Sequence, residues 1–177
     1  MESDLVTAQG PWPDGAPSPR FTSKQMGDAC EMLVAAELTL AGIPALKVPD
    51  NWPHYDVIAQ PQTGPAQRIS VKSRTYKRGP AYVDYKDGDQ FDWLAIVILS
   101  DAGAQRAIYL VPRALADQCA RRDKPTSKTA DLRYYRIDEV ERLFAAHRAN
   151  YGLVVVDAVV LDASTAEGTG LRPPPER

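Results

Sequence analysis

The stretch YDVIAQPQTGPAQRISVKSR, Tyr55 to Arg74, decides how this chain is read. YDVIA and RISVKSR are short runs in which apolar and β-branched residues recur at period two, and a Pro/Gly/Gln turn separates them. That pattern predicts two strands. Side chains on a strand alternate between faces. Arg68, Ser70, Lys72 and Arg74 therefore share one face of the second strand, with Ile69 and Val71 on the other. In the first strand Asp56 lies with Ile58, opposite Tyr55 and Val57. If the strands pair as a hairpin, Asp56 approaches the Ser70/Lys72 face, so one carboxylate and one ammonium meet beside apolar segments.

Upstream, TSKQMGDACEMLVAAELTLAGIP places Met26, Cys30, Leu33, Val34, Leu38 and Ala41 at three- and four-residue spacing, which predicts an amphipathic helix. Ser23 is the expected N-cap. Gly42 followed by Pro44 is the expected stop. Glu31 falls on the face of Gly27, Val34 and Leu38. A carboxylate on a core-facing side is costly unless it is paired or holds a cation.

Downstream, PALKVP predicts a short strand before YDVIA. DWLAIVILS is a continuous apolar run, as in a central strand covered on both faces. RAIYLVP reads as its partner, entered through DAGAQ as a hairpin loop. RALADQCARR predicts a short helix, and DEVERLFAAHRANYG a second firm helix from Asp138 to about Ala149. LVVVDAVVL, residues 153–161, suits a last strand. The expected fold is α/β: a mixed central sheet flanked by helices, without the repeated β-α-β alternation of a doubly wound fold.

Composition fits this reading. The chain has 177 residues, 44% hydrophobic and 25% charged, the profile of one globular domain. Residues 1–21 and 163–177 are rich in proline and glycine and read as flexible arms around a single domain at 22–162. The net charge of −2 offers no global attraction for nucleic acid or anionic membrane, so such binding would need a local basic patch. Cys30 and Cys119 have no metal-ligand spacing and read as buried small apolar residues in a reducing compartment. Two histidines make a His-rich zinc site improbable. No run approaches the roughly 18 apolar residues of a membrane span. The first twenty residues lack the pattern of a signal peptide, so a cytoplasmic location is expected. No nucleophilic triad, Walker loop or dinucleotide-binding glycine pattern is present.

Two carboxylates can hold a hard divalent cation through oxygen ligands. Such a cation polarises a phosphoryl oxygen and acidifies a coordinated water, and a lysine nearby can orient that water or offset developing negative charge. These are the parts needed to hydrolyse a phosphodiester. The series GDACEMLVAAELTLAGIP, YDVIA and RISVKSR resembles the PD-(D/E)XK nuclease superfamily, whose core is similar to that of type II restriction enzymes and Holliday-junction resolvases. The likeness rests on Gly27, Glu31 and Gly42 in a first helix, Asp56 in a strand, and Ser70-Val71-Lys72-Ser73 in the next, and it covers about residues 24–112. It implies a restriction-endonuclease-like core and a DNA endonuclease. It also implies Mg²⁺ or Mn²⁺ held by Asp56 and Glu31, with Lys72 assisting the attacking water.

One departure from the family pattern matters. The family carries Glu, Asp or Gln two residues before the lysine, where this chain has Ser70, a neutral and weaker ligand. The natural substitute is Glu31. If Glu31 cannot reach, the alternative is a catalytically inactive nuclease-fold module that binds nucleic acid or a protein partner. Arg68, Arg74, Lys77 and Arg78, clustered around Lys72, are candidate phosphate contacts, with a second basic patch at Arg121, Arg122, Lys124 and Lys128. Many relatives act as dimers, so a homodimer is open, although no interface is legible.

Overall fold

The computed structural model describes residues 21–75, 81–99 and 106–155. Residues 1–20 and 163–177 of the expected arms, the loop at 101–105 and the basic pair Lys77 and Arg78 lie outside these residues, as does the expected last strand beyond Val155.

Helix α1 spans Ser23–Leu40. Its N-cap is Thr22 rather than Ser23. Thr-Ser-Lys-Gln forms a capping box, with Gln25 N donating to Thr22 Oγ1 at 3.2 Å and Thr22 N donating to Gln25 Oε1 at 2.9 Å. The far end closes as the glycine predicts. Ile43 N donates to Leu38 O and Gly42 N to Thr39 O, with Gly42 at φ +89°. This Schellman arrangement needs a left-handed residue that glycine adopts without strain.

The chain then forms β1 (Ala45–Lys47), β2 (Val57–Ala59), β3 (Gln67–Thr75), β4 (Tyr82–Lys86), β5 (Trp93–Leu99), β6 (Arg106–Pro112), α2 (Arg113–Cys119), β7 (Arg121–Arg122), β8 (Leu132–Arg136) and α3 (Val140–Phe144). Five strands make the mixed main sheet in the order β1-β2-β3-β5-β6. β1, β2 and β3 run antiparallel in sequence, β3 pairs parallel with β5, and β5 pairs antiparallel with β6. The apolar run DWLAIVILS is the inner strand it was expected to be. Trp93, Ala95 and Val97 pack under α1 with Cys30, Val34 and Leu38, while Leu94 and Ile96 pack in a second core with Tyr109 and Val111.

That second core is closed by a three-stranded sheet, β4-β8-β7, which the sequence reading did not anticipate. Aspartates in DYKDGDQFD obscured β4, yet Val83 and Tyr85 alternate inward and are buried. Tyr135 of β8 stacks edge-on with Phe144 at 5.2 Å between ring centroids. The expected helix 138–149 is broken. A 3₁₀ turn at Ile137–Glu139 precedes α3, and another at Ala145–His147 follows it. Ala149, at φ +52°, ends the run by donating its N–H to Ile108 O of β6. Docking onto the sheet edge thus overrides helical propensity. Residues 153–155 are not in a strand. No helix among the described residues is long and apolar enough to cross a membrane.

One buried group makes stability depend on pH. His147 is 2% exposed and its Nδ1 has no hydrogen-bond partner. Burial lowers its pKa below the ordinary 6.5, because charging it would strand an ammonium-like ion in an apolar site. Below pH 6.5 the unfolded chain therefore binds more protons than the folded one, and stability falls as pH falls. The expected slope reaches up to about 1.4 kcal/mol per pH unit. Urea unfolding from pH 7 to pH 5 should show this slope, and His147→Gln should flatten it.

Candidate functional site

The site is built where β2 stops and β3 continues. β2 covers only Gln67 to Ile69 of β3. From Ser70 to Thr75 no strand among the described residues pairs with β3 on that side. Asp56 stands at this opening and takes over the ladder. Its backbone N–H donates to Ile69 O at 2.9 Å. Its carboxylate Oδ2 accepts from Val71 N at 2.6 Å, and from Ser70 Oγ at 3.4 Å. The side chain thus replaces a missing strand carbonyl and satisfies a buried donor. Oδ1 of Asp56 accepts no hydrogen bond among the described residues.

Asp56 and Glu31 line one cavity of about 220 Å³, together with Lys24, Gly27, Asp28, Val48, Pro49, Asp50 and Trp52. Both expected carboxylates thus line one cavity, although the acids there whose oxygens converge are Asp28, Glu31 and Asp50 rather than Asp56. Gly27 also lines the cavity, and a Cβ there would meet nothing within 4 Å.

Lys72 is placed differently. Ser70 is in register with Leu94 and Lys72 with Ile96, both residues of the second core. Ser70 and Lys72 therefore project to the face of β3 away from α1. Ser70 is buried and Lys72 half-buried, and Lys72 has no ion-pair partner among the described residues. Lys72 does not line the cavity shared by Asp56 and Glu31. Asp56 is the link between the two sides: it faces that cavity and holds β3 at Val71, the residue between Ser70 and Lys72.

Lys47, which sequence reasoning passed over, is central. It ends β1 opposite Val57 of β2. Its Nζ lies 2.7 Å from Glu31 Oε2, 2.6 Å from Asp50 Oδ1 and 3.4 Å from Asp28 Oδ1. Asp50, then Glu31, hold this ammonium well above the ordinary lysine range. Lys24 bonds to Asp50 and lies 3.2 Å from Asp28, and with Lys47 it pushes Asp50 down to about 2. One oxygen from each of Asp28, Glu31 and Asp50 lies within 4.8 Å of the others. This all-oxygen donor set suits a hard divalent cation rather than a soft one. No short-range pattern links Lys47 to Glu31, sixteen residues upstream; the packing of α1 against β1 does.

Of the candidate phosphate contacts, Arg68 and Arg74 are engaged within the chain. Arg68 forms a two-pronged pair with Asp92, Nε to Oδ2 at 3.1 Å and Nη2 to Oδ1 at 2.9 Å. Asp92 is thereby held below the usual carboxylate range. Arg74 donates to Tyr82 O at 2.7 Å and pairs with Asp84 at 2.9 Å, tying β3 to β4. Arg121 and Arg122 of the second patch pair with Glu139 and Asp87.

No protein-family model and no curated protein matches the chain. Among solved structures it is similar to a bacterial homing endonuclease, I-Ssp6803I. That likeness has 17% identity and a TM-score of 0.49, covering 76% of this chain and 91% of that one. It is also similar to Hjc, a Holliday junction resolvase of Archaeoglobus fulgidus, with 13% identity and a TM-score of 0.39, covering 64% of this chain and 89% of that one.

Proposed function

We propose that this protein is a divalent-cation-dependent endonuclease acting on DNA. The observation that supports this most is the shared cavity of Asp56 and Glu31, with Asp56 simultaneously anchored to the Ser70-Val71-Lys72 segment. Glu31 and Asp56 would hold Mg²⁺ or Mn²⁺. When bound, such an ion polarises a phosphoryl oxygen and lowers the pKa of a coordinated water. The chain's own residues do the rest. Asp56 keeps Oδ1 available because Val71 and Ser70 engage only Oδ2. Ser70 supplies a neutral hydroxyl where the family has an acid, and orients Asp56 rather than adding charge. Lys72, without an ion-pair partner among the described residues and on the adjoining position of the same strand face, would offset negative charge on the phosphate in the transition state. From Ser70 to Thr75 no strand among the described residues pairs with β3 on the β2 side, where a nucleic-acid backbone would run. Phosphate contact is proposed for Lys77 and Arg78, and for Arg68 and Arg74 by exchange of their aspartate partners.

A second reading is an inactive module of the same fold that binds nucleic acid or a protein. It is favoured by Ser70 in place of an acid and by the ammonium of Lys47 on Glu31. A cleavage assay with Mg²⁺ or Mn²⁺ on duplex, junction and single-stranded DNA decides between the two. The expected result is cleavage that chelation abolishes and that Lys72→Ala lowers at least about a hundredfold, as for loss of one transition-state charge partner. DNA binding without cleavage under every metal would instead establish the inactive module.

A further inference from the structure

We infer that Lys47 is an internal competitor for the divalent cation: its ammonium holds Glu31 in the metal-free protein and must leave Glu31 before the ion is bound. This inference rests on the proposed metal-dependent reading and adds a regulatory element to it. An acidic cluster alone would say little. Here a cation of the protein's own, Lys47, is seated on one of the two carboxylates proposed for the ion.

The geometry is that of substitution. The Nζ of Lys47 meets Glu31 at 2.7 Å and Asp50 at 2.6 Å, and reaches Asp28 at 3.4 Å. Oxygens of these three acids lie within 4.8 Å of one another. The side chains of Lys47 and Glu31 are only 20% and 18% exposed. Their attraction is therefore screened less than that of a fully solvated pair. A divalent ion brought to Glu31 meets a positive charge already in contact with its ligand. The two cations cannot share that oxygen without strong repulsion. Asp50 is 52% exposed and also contacts Lys47. It sits on the outer side of the cluster and offers the ammonium a second anchor once Glu31 is taken. The exchange therefore needs a side-chain rotation, and β1 can stay paired with β2.

Two consequences follow. Apparent metal affinity is lower than the carboxylates alone would give, because each binding event includes breaking the Lys47–Glu31 pair. A nucleic-acid phosphate near the cavity would favour the exchange, since it adds negative charge that a released ammonium can meet. DNA and metal are then expected to bind with positive coupling, reciprocal by necessity.

The test measures Mn²⁺ binding to the DNA-free protein by calorimetry or electron paramagnetic resonance. Lys47→Met keeps the length and removes the charge; Lys47→Arg keeps the charge. Lys47→Met should bind Mn²⁺ roughly tenfold more tightly than the parent, the effect of deleting one nearby charge at a partly shielded site. Lys47→Arg should bind as the parent does. Equal affinity in Lys47→Met and parent, or equal tightening in both variants, overturns the inference while leaving the metal site standing. Mn²⁺ binding by none of the three proteins overturns the metal-dependent reading itself and the inference with it. Should Lys47→Met fail to fold, acylation of Lys47 in the parent protein, read by mass spectrometry, gives the same answer. Saturating Mn²⁺ should raise its rate severalfold, and an unchanged rate at proven saturation overturns the inference.

Discussion

Asp56→Asn is expected to abolish metal-dependent DNA cleavage while leaving the fold in place. The asparagine keeps a carbonyl oxygen for Val71 N–H, the 2.6 Å bond that continues the β2 side of β3. It removes the negative charge that would hold the cation. Loss of an outer-shell partner of a metal typically costs 10- to about 100-fold, so loss of a ligand should exceed ~10²-fold. The cost in stability should be small, below about 1 kcal/mol. Asp56→Ala separates the two roles: it loses the acceptor as well, stranding a buried backbone donor at a cost of about 1–3 kcal/mol. Cleavage rates together with urea unfolding of both variants check this. Full activity in Asp56→Asn would remove Asp56 from the chemistry and with it the proposed Asp56–Glu31 metal site.

The second large effect concerns the core that positions Glu31. Leu38→Ala should destabilise the protein by about 3–5 kcal/mol, the transfer cost of a buried leucine plus that of an unfilled cavity. Leu38 is 0% exposed and packs with Cys30 and Val34 against Val57, Ile69 and Val71. Leu40, two residues on in the same helix, is 84% exposed. Leu40→Ala should change stability by less than about 0.5 kcal/mol. Thermal melts should therefore differ by roughly 10 °C between the two variants. A similar loss in both would mean that α1 does not pack on the main sheet through this face. Glu31 would then be free of the register that brings it to Asp56.

Much of the local structure was legible because it is local. The period of Met26 to Leu38 made α1, the Gly42 stop closed it, and the unbroken run Trp93–Leu99 made the inner strand. The Asp56/Ser70 encounter also followed from alternation and antiparallel pairing, which are short-range rules. The reading went wrong where local preference conflicts with docking. The helix expected from Asp138 to Ala149 contains good helix formers, yet it breaks into 3₁₀ turns around a five-residue α3 because its end bonds to β6. β4 and β8 were hidden because their outer residues are charged, and only an assembled second core shows which side faces inward.

The chain by itself determined which residue types were available for a site, namely the carboxylates, the lysines and Ser70, and which short segments carry them. Only the tertiary structure decided who meets whom. Packing of α1 on β1 sets Lys47 on Glu31, and in the parallel pairing of β3 with β5 Lys72 lies on the face away from α1. The reason is physical. A charge finds its partner through space, across strands whose spacing along the chain carries no trace of the encounter, and the energy of that contact depends on the burial that the whole fold supplies.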